Sequence, residues 1–139
     1  MPFAQLYSLL PEVAKRETRG IYSPRPDGTP GDGFAFVEMF CNEPDCDCRR
    51  VVFEVFQTGN TTVPVATLTY GWEPESFYRE WAGFPMEPGD IEELKGPALM
   101  RLAPQSVLAD RTLDLLRELL ADEGYVGRIV EHYRLCSKK

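Results

Sequence analysis

Phe34-Ala35-Phe36-Val37-Glu38-Met39-Phe40-Cys41 and Arg50-Val51-Val52-Phe53-Glu54-Val55-Phe56-Gln57 are two runs dense in valine and phenylalanine, each bounded by turn formers. Branched and aromatic side chains suit a pleated, half-buried surface, so both runs predict strands. Val63 to Gly71 has the same character, and Gly59-Asn60 supplies a hairpin turn ahead of it. Pro64 cannot donate to a ladder, so this third strand starts there or lies at an edge. The three runs read as an antiparallel meander.

Helical patterns flank the meander. Pro11 to Arg19 predicts a helix with Pro11 at its first position and Gly20 at its exit, and Leu6, Leu9, Leu10 and Val13 extend the spacing upstream. Residues 22–33 hold Pro24, Pro26, Gly28, Pro30, Gly31 and Gly33, a density of breakers that predicts a loop. Residues 74–82 predict a short helix ending at Gly83 and carrying Phe77, Tyr78 and Trp81. Asp90 with Glu93 predicts a capping box for a helix that Gly96-Pro97 stops. Residues 104–122 carry an apolar stripe of Leu108, Leu115, Leu116, Leu119 and Leu120. After Gly124, a last helix places Val126, Ile129, Val130 and Tyr133 on one side. The expectation is one α+β domain over residues 1–139, with helices packed on a sheet of three or slightly more antiparallel strands.

Composition narrows the function classes. With 43% hydrophobic and 27% charged residues the chain has the makings of a packed core. A net charge of −7 repels phosphate backbones, and the basic pairs Arg49-Arg50 and Lys138-Lys139 make no stripe, so no nucleic-acid partner is expected. No run approaches the ~20 apolar residues of a membrane-spanning helix. Met1 to Leu6 lacks the basic and apolar regions of a signal peptide, which predicts a cytoplasmic location.

The chemistry concentrates between the first two strands. Cys41, Cys46 and Cys48 have the spacing Cys-x4-Cys-x-Cys, and Asn42, Pro44 and Asp45 allow the chain to reverse between them. Three soft thiolates on one reversal supply most of a tetrahedral zinc shell. The fourth ligand must come from elsewhere. His132 and Cys136 sit four residues apart on one face of the last helix, and His132 is the expected ligand, with Cys136 or water as the alternatives. A metal-free set of thiols, or a disulfide through Cys41, is also open, since Cys46 and Cys48 are too close to bridge each other without strain. Arg49 and Arg50 beside Cys48 raise a further option, a thiolate of depressed pKa, although no Cys-x-x-Cys occurs.

Other constellations are weaker. One histidine and no Gly-x-Ser-x-Gly leave little basis for a serine hydrolase. Glu38 and Glu54 read as polar members of a half-solvated sheet face rather than a catalytic pair. Trp72, Phe77, Tyr78, Trp81 and Phe84 read as core packing, with a ligand cleft as the alternative.

The run from Phe36 to Arg50 resembles a motif in a family of small bacterial proteins without an assigned activity. The match extends to Glu17-Thr18-Arg19, Gly71-Trp72-Glu73 and Arg128 to Tyr133, and so covers most of the chain. What the resemblance implies is a shared cysteine-rich hairpin, with no reaction attached. Cys46-Asp47-Cys48 is also similar to the Cys-x-Cys half of the SEC-C zinc motif, but lacks the closely following Trp/His-Cys. The functional expectation is a structural zinc module acting through contact with another protein, the alternative being an enzyme with an open zinc site.

Overall fold

The computed structural model describes residues 3–23, 32–60 and 62–137. Strand β1 (Phe3–Gln5) leads through two short helices, α1 (Leu6–Leu9) and α2 (Pro11–Glu17), into strand β2 (Arg19–Ser23). There follow β3 (Asp32–Cys41), β4 (Arg50–Gln57), β5 (Ala66–Gly71), α3 (Glu75–Ala82), α4 (Pro88–Lys95), β6 (Ala98–Leu99), α5 (Ala109–Leu120) and α6 (Glu123–Ser137). One antiparallel sheet of six strands runs β1-β3-β4-β5-β6, with β2 also paired to β3.

The expected meander is the middle of this sheet, and the α+β class stands. The extra strands have physical causes that composition hides. β1 and β2 lie end to end on the outer edge of β3, Phe3 opposite Cys41 and Arg19 opposite Phe36. Helix α2 starts at Pro11 as expected but ends at Glu17, and Gly20, the expected helix exit, is a strand residue facing Ala35. Seven residues of helix have little stability of their own, so pairing with a long strand wins at Arg19. Of the expected loop, residues 24–31 lie outside the described residues, while its ends belong to β2 and β3. Helix α4 is capped one turn earlier than expected, by a reciprocal box between Glu87 and Asp90. Helix α5 begins five residues after Pro104, because Gln105 is tied to β5: its Oε1 accepts from Thr67 N at 3.0 Å and its Nε2 donates to Thr67 O at 2.8 Å.

Strand alternation sorts the side chains into two layers. Phe34, Phe36, Glu38 and Phe40 of β3 share a face with Val55 and Phe53 of β4, which stand opposite Phe36 and Glu38, and with Leu68 of β5. Phe36, Phe40, Phe53 and Leu68 are all 0% exposed. Leu113, Leu116 and Leu119 of α5, with Tyr125, Ile129 and Tyr133 of α6, close this core. Each large apolar side chain so buried contributes roughly 1.5–3 kcal/mol. On the opposite face, α4 lies over Arg50, Thr69 and Gly71: Thr69 Oγ1 donates to Glu93 O at 2.6 Å, and Lys95 Nζ to Gly71 O at 2.7 Å. No helix among the described residues is long and apolar enough to cross a membrane.

Candidate metal centre

Residues 42–49 join β3 to β4. The reversal at Pro44-Asp45 is held by Cys46 N donating to Glu43 O at 3.4 Å, and two residues, Asp45 and Arg49, take positive φ values of 65° and 47°. Such conformations are costly for residues with a Cβ and persist only where the surroundings fix them. Arg49 is fixed from several sides. Its N donates to Tyr133 Oη at 3.3 Å, and its carbonyl accepts from Tyr78 Oη at 2.7 Å. Its guanidinium reaches Asp47 at 2.9 Å and Glu73 at 2.6 Å, and lies over the Phe77 ring. Tyr133 Oη in turn donates to Cys46 O at 3.4 Å. The loop is thereby seated on α3 and α6.

This seating gathers the thiols. The Sγ atoms of Cys41, Cys46 and Cys48 all lie within 4.8 Å of one another. A tetrahedral shell with Zn–S near 2.3 Å needs sulfurs about 3.8 Å apart, so a small inward adjustment makes three legs of that shell. None of the four cysteines is joined in a disulfide. Cys48 is 0% exposed, and burial together with the Cys46 thiol pushes its pKa up to about 12. Burial also raises Cys41. The option of an activated thiolate beside Arg49 and Arg50 is therefore disfavoured: Arg49 is engaged by carboxylates, and at Cys48 burial outweighs the backbone hydrogen bond at Arg50. A cation is what draws protons from such thiols.

The expected fourth ligand needs correction. His132 is 1% exposed and is not among the gathered donor atoms. Its Nδ1 is 2.7 Å from Glu38 Oε1 and its Nε2 is 2.7 Å from Glu17 Oε1, so both ring nitrogens are taken. Cys136, one turn beyond His132 on α6, lies beside the loop. It lines a cavity of about 350 Å³ together with Cys41 and Cys46, although its sulfur lies outside the 4.8 Å group.

The Glu17-His132-Glu38 bridge was missed by sequence reasoning. Glu38 is not on a solvated face: it stands opposite Phe53 in the core, on the other side of the sheet from Glu54, which stands opposite Val37. Burial opposes a charge on His132, but the two carboxylates outweigh it and hold the pKa above 6.5. The His132 hydrogen bond, aided by Arg128 and Arg16, holds Glu17 below its ordinary 4.5. An imidazolium satisfies this geometry by donating from both nitrogens. Glu38 Oε2 and Tyr125 Oη remain buried without a hydrogen-bond partner among the described residues.

No protein-family model, no curated protein and no solved structure matches this chain.

Proposed function

We propose that this chain is a structural zinc-binding module that works through contact with another protein. The observation that carries the reading is the gathering of the Cys41, Cys46 and Cys48 sulfurs within 4.8 Å at a loop seated on two helices. Thiolate ligands favour zinc over the hard cations. Cys136 is the fourth ligand, supplied by the last turn of α6, which closes the site and gives the metal a stabilising rather than a catalytic role. The unbridged cysteines suit a reducing compartment. Val63 and Leu102, 60% and 99% exposed, line one largely apolar cavity and support the protein contact.

Purified protein is expected to carry about one zinc per chain, by elemental analysis. Cobalt substitution then counts the thiolates. Charge-transfer absorption of four thiolates is expected in the wild type, and of three in Cys136→Ala, which also loses metal sooner to a chelator. Absence of zinc, with all four thiols titrating freely in the native protein, refutes the reading. A three-thiolate spectrum in the wild type refutes the role of Cys136 and favours an open, catalytic site.

A further inference from the structure

Arg50 opens β4 on the face away from the helical core, and it is 6% exposed. Its Nε donates to Leu94 O at 2.9 Å, and no carboxylate lies within 4.0 Å of it among the described residues. A desolvated guanidinium that makes no direct ion pair is costly, and Glu93 acts on this one only from beyond contact distance. This one lines a cavity of about 620 Å³ walled by Phe3, Trp81, Phe84, Met86 and Met100. That volume is typical of a small-molecule site, and the wall sets these apolar side chains beside four charged ones. Phe84 is 60% exposed and Trp81 37%, so the aromatic wall meets water.

The remaining charges of the cavity, one cation and two anions, are in contact with one another. Arg101 Nη2 donates to Asp90 Oδ1 at 2.7 Å, and Arg101 Nε donates to Glu93 Oε1 at 2.6 Å. With Arg50 included, the two cations and two anions of the wall cancel. One arriving negative charge is met by Arg50, whereas a second meets Asp90 and Glu93.

The geometry points to Arg50 as the anchor of a binding site for a monocarboxylate that carries an apolar or aromatic group. A guanidinium presents paired N–H donors that match a carboxylate, and the Nη groups are the ones left once Nε is on Leu94. The aromatic and methionine side chains take the rest of the ligand. Dianions, such as phosphate monoesters, are rejected by the acidic pair. The same chemistry arrives either as a free organic acid or as the last residue of a peptide.

Isothermal titration calorimetry on the full chain tests this with 3-phenylpropionate, 3-phenylpropionamide, phenyl phosphate, and Ala-Ala-Phe with a free or amidated C-terminus. The free carboxylates are expected to bind about tenfold or more tightly than their amides, as a charge-assisted hydrogen bond implies. Phenyl phosphate is expected to bind more weakly than 3-phenylpropionate. Arg50→Met is expected to remove the preference for acid over amide. Phe84→Ala, a change at an exposed ring, is expected to weaken the acid severalfold while keeping the preference, and it serves if Arg50→Met does not fold. Tighter binding of the peptide acid identifies a peptide terminus as the source, and tighter binding of 3-phenylpropionate identifies a free acid. Equal binding of acid and amide, no binding of either at millimolar concentration, or unchanged binding in Phe84→Ala overturns the assignment.

Discussion

Replacing His132 by alanine strands a charge in the core, and the structure sets the size of the effect. The Glu38 side chain is 0% exposed, and its Oε1 has His132 Nδ1 as partner at 2.7 Å while its Oε2 has none among the described residues. The variant therefore leaves a buried carboxylate with nothing to offset its desolvation. Breaking one side of a buried ion pair costs about 3–5 kcal/mol, against a total stability of roughly 5–15 kcal/mol for a domain. Urea unfolding with an m-value near ~2 kcal/mol/M should show the midpoint falling by about 2 M. The double variant Glu38→Leu/His132→Leu removes both partners and should recover much of that loss. Folded His132→Ala protein should keep its zinc, because the imidazole serves the carboxylates and not the thiols. A loss under about 1 kcal/mol, or a double variant no better than the sum of its singles, would refute the account of the bridge.

The same bridge makes stability depend on pH in a defined direction. His132 has a raised pKa, so its contribution is complete below 6.5 and is lost as pH rises through the folded value. Glu17 has a lowered pKa, so its contribution is complete above 4.5 and is lost as pH falls through its folded value. Urea midpoints measured across pH should show both contributions together between 4.5 and 6.5 and a decline on the alkaline side that His132→Gln abolishes; an identical alkaline limb in that variant speaks against the assignment. Gly71→Ala would place its Cβ 2.2 Å from Tyr78 Oη, displacing a ring whose hydroxyl holds Arg49 O and Glu73 N. A loss of about 2–4 kcal/mol is expected by thermal or urea unfolding. Gly127→Ala, where an added Cβ meets nothing within 4 Å, should instead stabilise α6 by roughly 0.5–1 kcal/mol, and similar effects at the two glycines would contradict the packing described.

The central strands were legible because Val, Phe and turn residues mark them directly, and the thiol group was legible because a short loop brings its members together whatever the rest of the chain does. β2 was not legible, since Arg19 to Ser23 acquires strand geometry only from its ladder with β3. Glu38 shows a signal that was present and overlooked. Phe34, Phe36 and Phe40 share one parity, and Glu38 has the same parity, so alternation alone assigns it to the apolar face. A carboxylate placed there needs a partner, and the single histidine is the natural candidate. Glu17 carried no comparable mark. It meets His132 because α2 and α6 converge in the tertiary fold, 115 positions apart in sequence.

Why the single histidine serves carboxylates while Cys136 lines the cavity beside Cys41 and Cys46 follows from the positions along two packed elements. His132 and Cys136 lie on one side of α6, about 6 Å apart along its axis. Glu38 and Cys41 lie on β3 about 10 Å apart and have opposite parity, but Cys41 ends the strand, where the chain turns into the loop. With His132 opposite Glu38, the next turn of the helix arrives at the end of the strand, where Cys41 and the loop begin, and Cys136 is the residue that turn presents. Helix and strand thus approach twice, once through an imidazole between two carboxylates and once, one turn later, across the cavity that Cys136 lines with Cys41 and Cys46. The first contact needs no added ligand. It holds α6 against β3 and α2, and the aromatic packing of Tyr133 on Phe40 and Trp72 lies between the two contacts. The loop that carries the thiols is fixed at Arg49 and Cys46 through Tyr133 Oη. Were the thiols to take a metal, as proposed, a loop held in this way would leave more of the binding energy to close them around it.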